Sequence, residues 1–238
     1  MMLQDLSVKA CEFHEVVAFV CWNHYSHSVK GLTPQFRFAV RNGPTIVGAA
    51  IFGQPAGRGV AEAYNQGETL VELRRFVLLD ECPKTSESFA LSRMLRNLKS
   101  QGVRFILSFA DPNEKREGHP DGMHTGLIYR AVGFDLVKLG KPKKAIWFEG
   151  RRYPARNLDQ YNKFKIGGEP LTRLSLRLRA ALASGQAVWK RELGKIAYLF
   201  DTSKHWNKPT LKLKWALKLK ARMAAKGGLK GSVLLGWH

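Results

Sequence analysis

Five side chains of this 238-residue chain have types and positions suited to chemistry: His24, Tyr25, Arg75, Asp111 and Tyr129. Asp111 follows the apolar run 103–110 (VRFILSFA) and precedes Pro112. In α/β folds the C-terminal tips of buried strands present groups to ligands. A carboxylate there could accept from an amino group or take its proton, and it could equally cap an Asx turn. His24 and Tyr25 lie in the polar stretch 23–28 (NHYSHS). An imidazole there carries a proton or binds a metal, although a lone loop histidine more often serves as a hydrogen-bonded surface group. His27, His119, Asp121 and His124 add nitrogen and oxygen donors, at a spacing that matches no strong metal signature. Arg75 sits in a strand-like run. On a sheet face it needs an anion, from Asp111, Glu72 or a substrate carboxylate, unless it is a surface arginine. Tyr129 stands one helical turn after Thr125 and four residues before Gly133-Phe134.

The elements that must position these groups follow from periodicity. Apolar residues at 13, 16, 17, 20 and 21 predict a helix over 12–22. Residues 36–40 and 45–52 predict a hairpin about Asn42-Gly43, and 70–79 a third strand after a Gly-rich link. Thr85 or Ser86 caps a helix carrying Leu91, Met94, Leu95 and Leu98 on one face, stopped by Gly102. The run 103–110 predicts a buried strand with Ser108 and Ala110 on one side and Phe109 on the other. A short helix from His124 and a strand over 134–139 complete an α-β-β-β-α-β-α-β core, residues 1–140, of the layered α/β class. Beyond it a hairpin about Gly150 and an amphipathic basic helix over 171–182 are expected. In 211–220 (LKLKWALKLK) periodicity does not choose between strand and helix.

Charge divides the chain the same way. Met1–Val137 holds 15 basic and 14 acidic residues, whereas Lys138–His238 holds 24 and 5, and the whole carries +20. A basic half gains by releasing counterions from a polyanion, and interleaved Trp and Tyr favour nucleic acid over a solvated tail or a membrane surface. The expected phosphate contacts are Lys141, Lys143, Lys144, Arg151, Arg152, Arg156, Arg173 and Arg177, with the Lys-rich tail. The region 141–238 is thus read as a DNA-binding extension. No apolar run approaches the roughly 20 residues of a spanning helix. Three cysteines without a CxxC suit a reducing compartment.

The string Ile128-Tyr129-Arg130-Ala131-Val132-Gly133-Phe134 resembles the tyrosine-to-Gly-Phe signature of the GNAT acyltransferase superfamily. Glu72–Phe76, Lys84–Ser88, Ser108–Pro112 and Gly122–Tyr129 together look like the Mom family of phage DNA-modification proteins. The resemblance implies a GNAT-like mixed, splayed sheet flanked by helices. It also implies a phage-encoded enzyme in the host cytoplasm that adds an acetamido (methylcarbamoyl) group to adenine N6 in duplex DNA and blocks restriction. Tyr129 then protonates the leaving group, while His24 and Tyr25 stand at the acceptor site with iron as an implied metal that His24 would help to hold. Tyr129 and Asp111 are expected to share one hollow.

One departure bears on the donor. Acetyl-CoA enzymes of this superfamily grip pyrophosphate with a Gly-rich turn at a helix N-terminus. Here 82–88 (CPKTSES) has no glycine, and Glu87 has the wrong sign. This argues against an acyl-CoA donor and leaves the donor unknown. Lys84, Thr85 and Ser88, with Ser108, His124, Thr125 and Gly126, are the donor-binding candidates, or 82–88 is only a capped helix start. The expected partners are double-stranded DNA and a small group donor, with a homodimer left open and no membrane. The competing readings are a GNAT enzyme acetylating a protein, tRNA or small amine, and a non-catalytic nucleic-acid-binding protein.

Overall fold

In the computed structural model the described residues are 1–65, 69–114, 123–159 and 171–203. His119, Asp121 and the Lys-rich tail over 204–238 lie outside them. Strands β1 (Leu6–Ala10), β2 (Pro34–Asn42), β3 (Thr45–Gly53), β4 (Leu70–Leu78), β5 (Phe105–Ala110), β6 (Asp135–Leu139), β7 (Lys143–Phe148), β8 (Arg151–Pro154), β9 (Val188–Glu192) and β10 (Ile196–Asp201) form two sheets. The larger has the order β1-β2-β3-β4-β5-β10-β6, and the smaller β8-β7-β9. The helices are α1 (Phe13–Asn23), α2 (Arg58–Asn65), α3 (Ser86–Ser100), α4 (Leu127–Ala131) and α5 (Arg173–Ala183).

The predicted apolar spacing of α1 puts Val16 and Val20 against Ala39, Ala49, Ile51 and Val77, one face of β2–β4. The two alanines let that helix settle close to the sheet. On the opposite face, Leu91, Met94, Leu95 and Leu98 of α3 and Tyr129 of α4 pack with Val71, Leu73, Ile106, Ala110 and Tyr198. A sheet covered on both sides explains why β5 reads as continuous apolar sequence. Leu178 and Ala181 of α5 pack on Ile146 and Phe148 to form a third, separate core.

Two features of the large sheet shape the site. β4 and β5 pair in parallel only from Leu70↔Phe105 to Leu73↔Ser108, after which both strands continue without pairing to each other. Across from β3, Ile51 faces Arg75 and Phe52 faces Leu73, so Arg74 is an extra residue, a bulge where the splay begins. This splayed mixed sheet flanked by helices is the fold class that the resemblance implies.

The expected boundary at residue 140 is corrected by β10. That strand comes from the region read as an extension, yet it lies between β5 and β6 and completes the core sheet. The β6–β7 arm and the β9–β10 arm run from one sheet into the other and cross at two glycines. A Cβ on Gly194 would stand 2.3 Å from the Gly140 carbonyl oxygen, and one on Gly140 would stand 2.7 Å from that of Lys195.

Candidate functional site

The bulge decides which face Arg75 occupies. Leu73 belongs to the α3 face, and simple alternation would send Arg75 there too. The extra residue turns it to the α1 face, opposite Ile51. There its Nε donates to the Ser28 carbonyl (2.9 Å) and its Nη1 to the Arg74 carbonyl (2.7 Å). Arg75 therefore pins the loop that follows α1 to the start of the splay, and burial lowers its pKa while Tyr25 works against that shift. The expected carboxylate partner is replaced by two backbone carbonyls.

That loop holds His24 and Tyr25, as the sequence predicts. His24 is buried, its Nδ1 accepts the Ser26 N–H (3.1 Å), and its ring lies 4.2 Å from that of Tyr25. An Nδ1 used as an acceptor places the neutral ring's proton on Nε2. Among the described residues no group of three or more His, Cys, Asp or Glu is placed to hold a metal ion. The implied iron therefore has no ligand set there.

Tyr129 lies on the other side of the sheet. Gly126, with φ +77°, starts α4, and a Cβ there would meet the rings of Tyr198 (2.5 Å) and Tyr129 (2.9 Å). The Tyr129 ring packs 5.4 Å from Tyr198 and 6.1 Å from His124, and the Tyr198 hydroxyl donates to the Thr125 carbonyl (2.6 Å). Ser108 faces Tyr198 in register and is fully buried, its hydroxyl without a hydrogen-bond partner. Ser108, His124, Thr125, Gly126 and Tyr129 thus gather around Tyr198, a residue the sequence reading passed over. Lys84, Thr85 and Ser88 lie at the start of α3. Thr85 caps that helix without a side-chain bond, and the Ser88 hydroxyl donates to the Thr85 carbonyl (2.9 Å).

Asp111 departs from the expectation. Ile106 and Ala110 belong to the α3 face. Alternation carried one residue past the strand points Asp111 toward the α1 face, and its hydrogen bonds and ion pair go to Asn113 and Arg152, whereas Tyr129 packs in the α3-side core. Its Oδ1 accepts the Asn113 N–H (3.1 Å) and side-chain amide (2.7 Å), an Asx turn, while its Oδ2 meets Arg152 Nη1 (3.2 Å). Despite desolvation, these partners hold its pKa below the ordinary value of 3.8, which makes it a poor proton acceptor. Glu72, buried on the same face, has its pKa raised by desolvation, against the Ala56 N–H (2.8 Å) and Arg74 (3.5 Å). It is the carboxylate at the splay better suited to taking a proton.

Arg152 is a second correction. Predicted to meet phosphate, it is instead held by Glu192 (2.7 Å), Asp111 (3.2 Å) and Glu114 (3.3 Å), joining the small sheet to the tip of β5. Lys195 is exposed by area yet crowded by surrounding protein. Desolvation lowers its pKa while Asp111 pulls the other way. Arg177 pairs with Glu149 and lies over the Phe148 ring. Lys141, Lys143, Lys144, Arg151, Arg156 and Arg173 are exposed. Lys190 and Arg191 on β9, also exposed, were not predicted as contacts, because residues 188–201 were not recognised as strands.

No curated protein matches the chain. Among solved structures it is similar to FeeM, an N-acyl amino acid synthase from uncultured soil microbes (11% identity, TM-score 0.47, covering 88% of this chain and 97% of that one). It is also similar to a GNAT family acetyltransferase from Elizabethkingia anophelis with acetyl-CoA bound (8%, 0.45, 83% and 98%). A third is the Bacillus subtilis acetyltransferase in complex with CoA (9%, 0.43, 82% and 98%). A model of the Mom protein family matches residues 5–211, from the first strand through the whole described fold. The chain belongs to the Mom protein family.

Proposed function

We propose that this acyltransferase-like protein transfers an acetamido group to adenine N6 in duplex DNA. The observation that carries the reading is the splay of β4 from β5 beyond Leu73 and Ser108. Tyr129 and its neighbours stand on one side of the sheet there, and Arg75 with the His24–Tyr25 loop on the other. A donor seated on the α3 and α4 side would reach its acceptor through this gap, where neither strand has a partner across it. Membership of the Mom family and the +20 charge support DNA as the acceptor.

The roles divide by face. Tyr129 supplies a phenol to the leaving group, and Gly126 keeps room for it. Glu72, with its raised pKa, accepts the proton released by the amino group. Arg75 fixes the acceptor loop. An adenine amino group must leave the stack to enter such a site, and Tyr25, 54% exposed, offers a ring face to the extruded base. Asp111 and Arg152 act as positioning residues that hold the small sheet. The donor is a small molecule that already carries the whole acetamido group. The N6–carbon bond forms as the bond to the leaving group breaks, while Glu72 takes the amino proton and Tyr129 protonates the leaving group. The donor's anionic part meets the start of α3 near exposed Lys84. Nucleoside mass spectrometry of DNA from cells making the chain should show a modified deoxyadenosine. With Glu72→Gln the yield should fall about 10²-fold or more. Equal yields from both proteins would remove Glu72 from the mechanism.

A further inference from the structure

The basic residues of the 141–203 region are not equivalent. On α5, Arg177 is paired with Glu149 and Arg179 with Asp159, and Arg152 is enclosed by three carboxylates. Lys144 and Arg191 differ. They face each other directly across the β7–β9 ladder, both are exposed, and among the described residues neither has an acid within ion-pair distance. Like charges placed opposite each other on neighbouring strands repel and destabilise the sheet. β9 is the outer strand of the small sheet, and Trp189, 43% exposed, lies on the same face as Arg191, two residues apart along the strand.

We propose that Lys144 and Arg191 form a phosphate clamp on the duplex DNA backbone, with Trp189 beside it. A polyanion removes the cross-strand repulsion, whereas a second copy of this chain docked edge to edge would bring four such cations together. The inference rests on the DNA reading for its partner but not on adenine chemistry. Sequence-independent phosphate contacts position a protein and carry the salt dependence of binding.

The test uses the full chain and a short fluorescent duplex built only of G·C pairs, so that failure of adenine modification leaves the result untouched. Affinity is followed across a salt series. Lys144→Gln with Arg191→Gln should lower the slope of log affinity against log salt by about 1.8, two phosphates at about 0.9 each. Arg177→Gln with Arg179→Gln should leave it nearly unchanged. Without DNA, the first variant should melt no lower than wild type, because a repulsive pair has been removed. If the double variant fails to fold, Arg191→Gln alone should lower the slope by about 0.9, and Lys144→Arg should keep it. An unchanged slope in the Lys144/Arg191 variants, or an equal fall in the Arg177/Arg179 variant, overturns the proposal. So does an unchanged slope accompanied by a change in sedimentation, which would make this edge a contact between copies.

Discussion

Arg152 is tied to Glu192, Asp111 and Glu114, with Asp111 and Glu192 almost fully buried. Removing one partner of a buried ionic group leaves the others uncompensated, so Arg152→Ala should cost about 3–5 kcal/mol of stability in denaturant unfolding. If Arg152 instead served DNA, the same change would alter the salt slope and spare stability. The two carboxylates near the splay respond to pH in opposite directions. Asp111 has a lowered pKa, so its contribution is present above the ordinary 3.8 and is lost as pH falls through the folded value. Glu72 has a raised pKa, so its contribution is full below 4.5 and is lost as pH rises through the folded value. Asp111→Asn should therefore flatten the acid limb of stability against pH, and Glu72→Gln the limb above 4.5; urea midpoints measured across pH report both. At this scale the sequence reading singled out His24, Tyr25, Arg75 and Tyr129 by residue type and position. It could not see that Asp111 would face the other way from Tyr129, because facing depends on where a strand ends and what packs against its tip. The Arg75 facing was hidden for a related reason: a one-residue bulge shifts the alternation without leaving a mark in composition.

Elements depend on what their ends allow. Gly140 and Gly194 let two arms cross from the large sheet into the small one, with the Gly140 N–H donating to the Lys195 carbonyl (2.8 Å). Gly194→Ala should cost about 1–3 kcal/mol, because the added methyl meets backbone that cannot swing aside. A melting temperature equal to wild type would mean that the crossing is looser than its distances indicate. The segments with strong periodicity, α1, the β2–β3 hairpin, β4, α3 and α5, stand where apolar spacing and turn residues predict them. β1, α2, β9 and β10 were missed. For β10 the cause is sequence distance: a strand that completes the core only after an inserted sheet and helix gives no local sign of which sheet it joins. Its residues 196–201 (IAYLFD) are strand-like, but their place beside β5 rests on pairing that spans about two-fifths of the chain.

The whole molecule combines a core sheet opened at one seam with a basic region clamped to the tip of β5. Among the described residues no helix is long and apolar enough to cross a membrane. The nine lysines and arginines over 203–238 belong to the same electrostatic account. Removing residues 204–238 should weaken duplex binding on every sequence and reduce the salt slope, while Lys144 and Arg191 keep part of it. Binding by titration across salt checks this, and an unchanged slope would free the tail from phosphate contact. The central claim is that the seam transfers a group to adenine with Tyr129 as the acid. Nucleoside mass spectrometry of DNA from cells expressing wild type or Tyr129→Phe, at matched levels of folded protein, tests it most directly. The account predicts a modified deoxyadenosine with wild type and about 10²-fold less or none with the phenylalanine. Unmodified adenine in both samples, or equal modification in both, would contradict it.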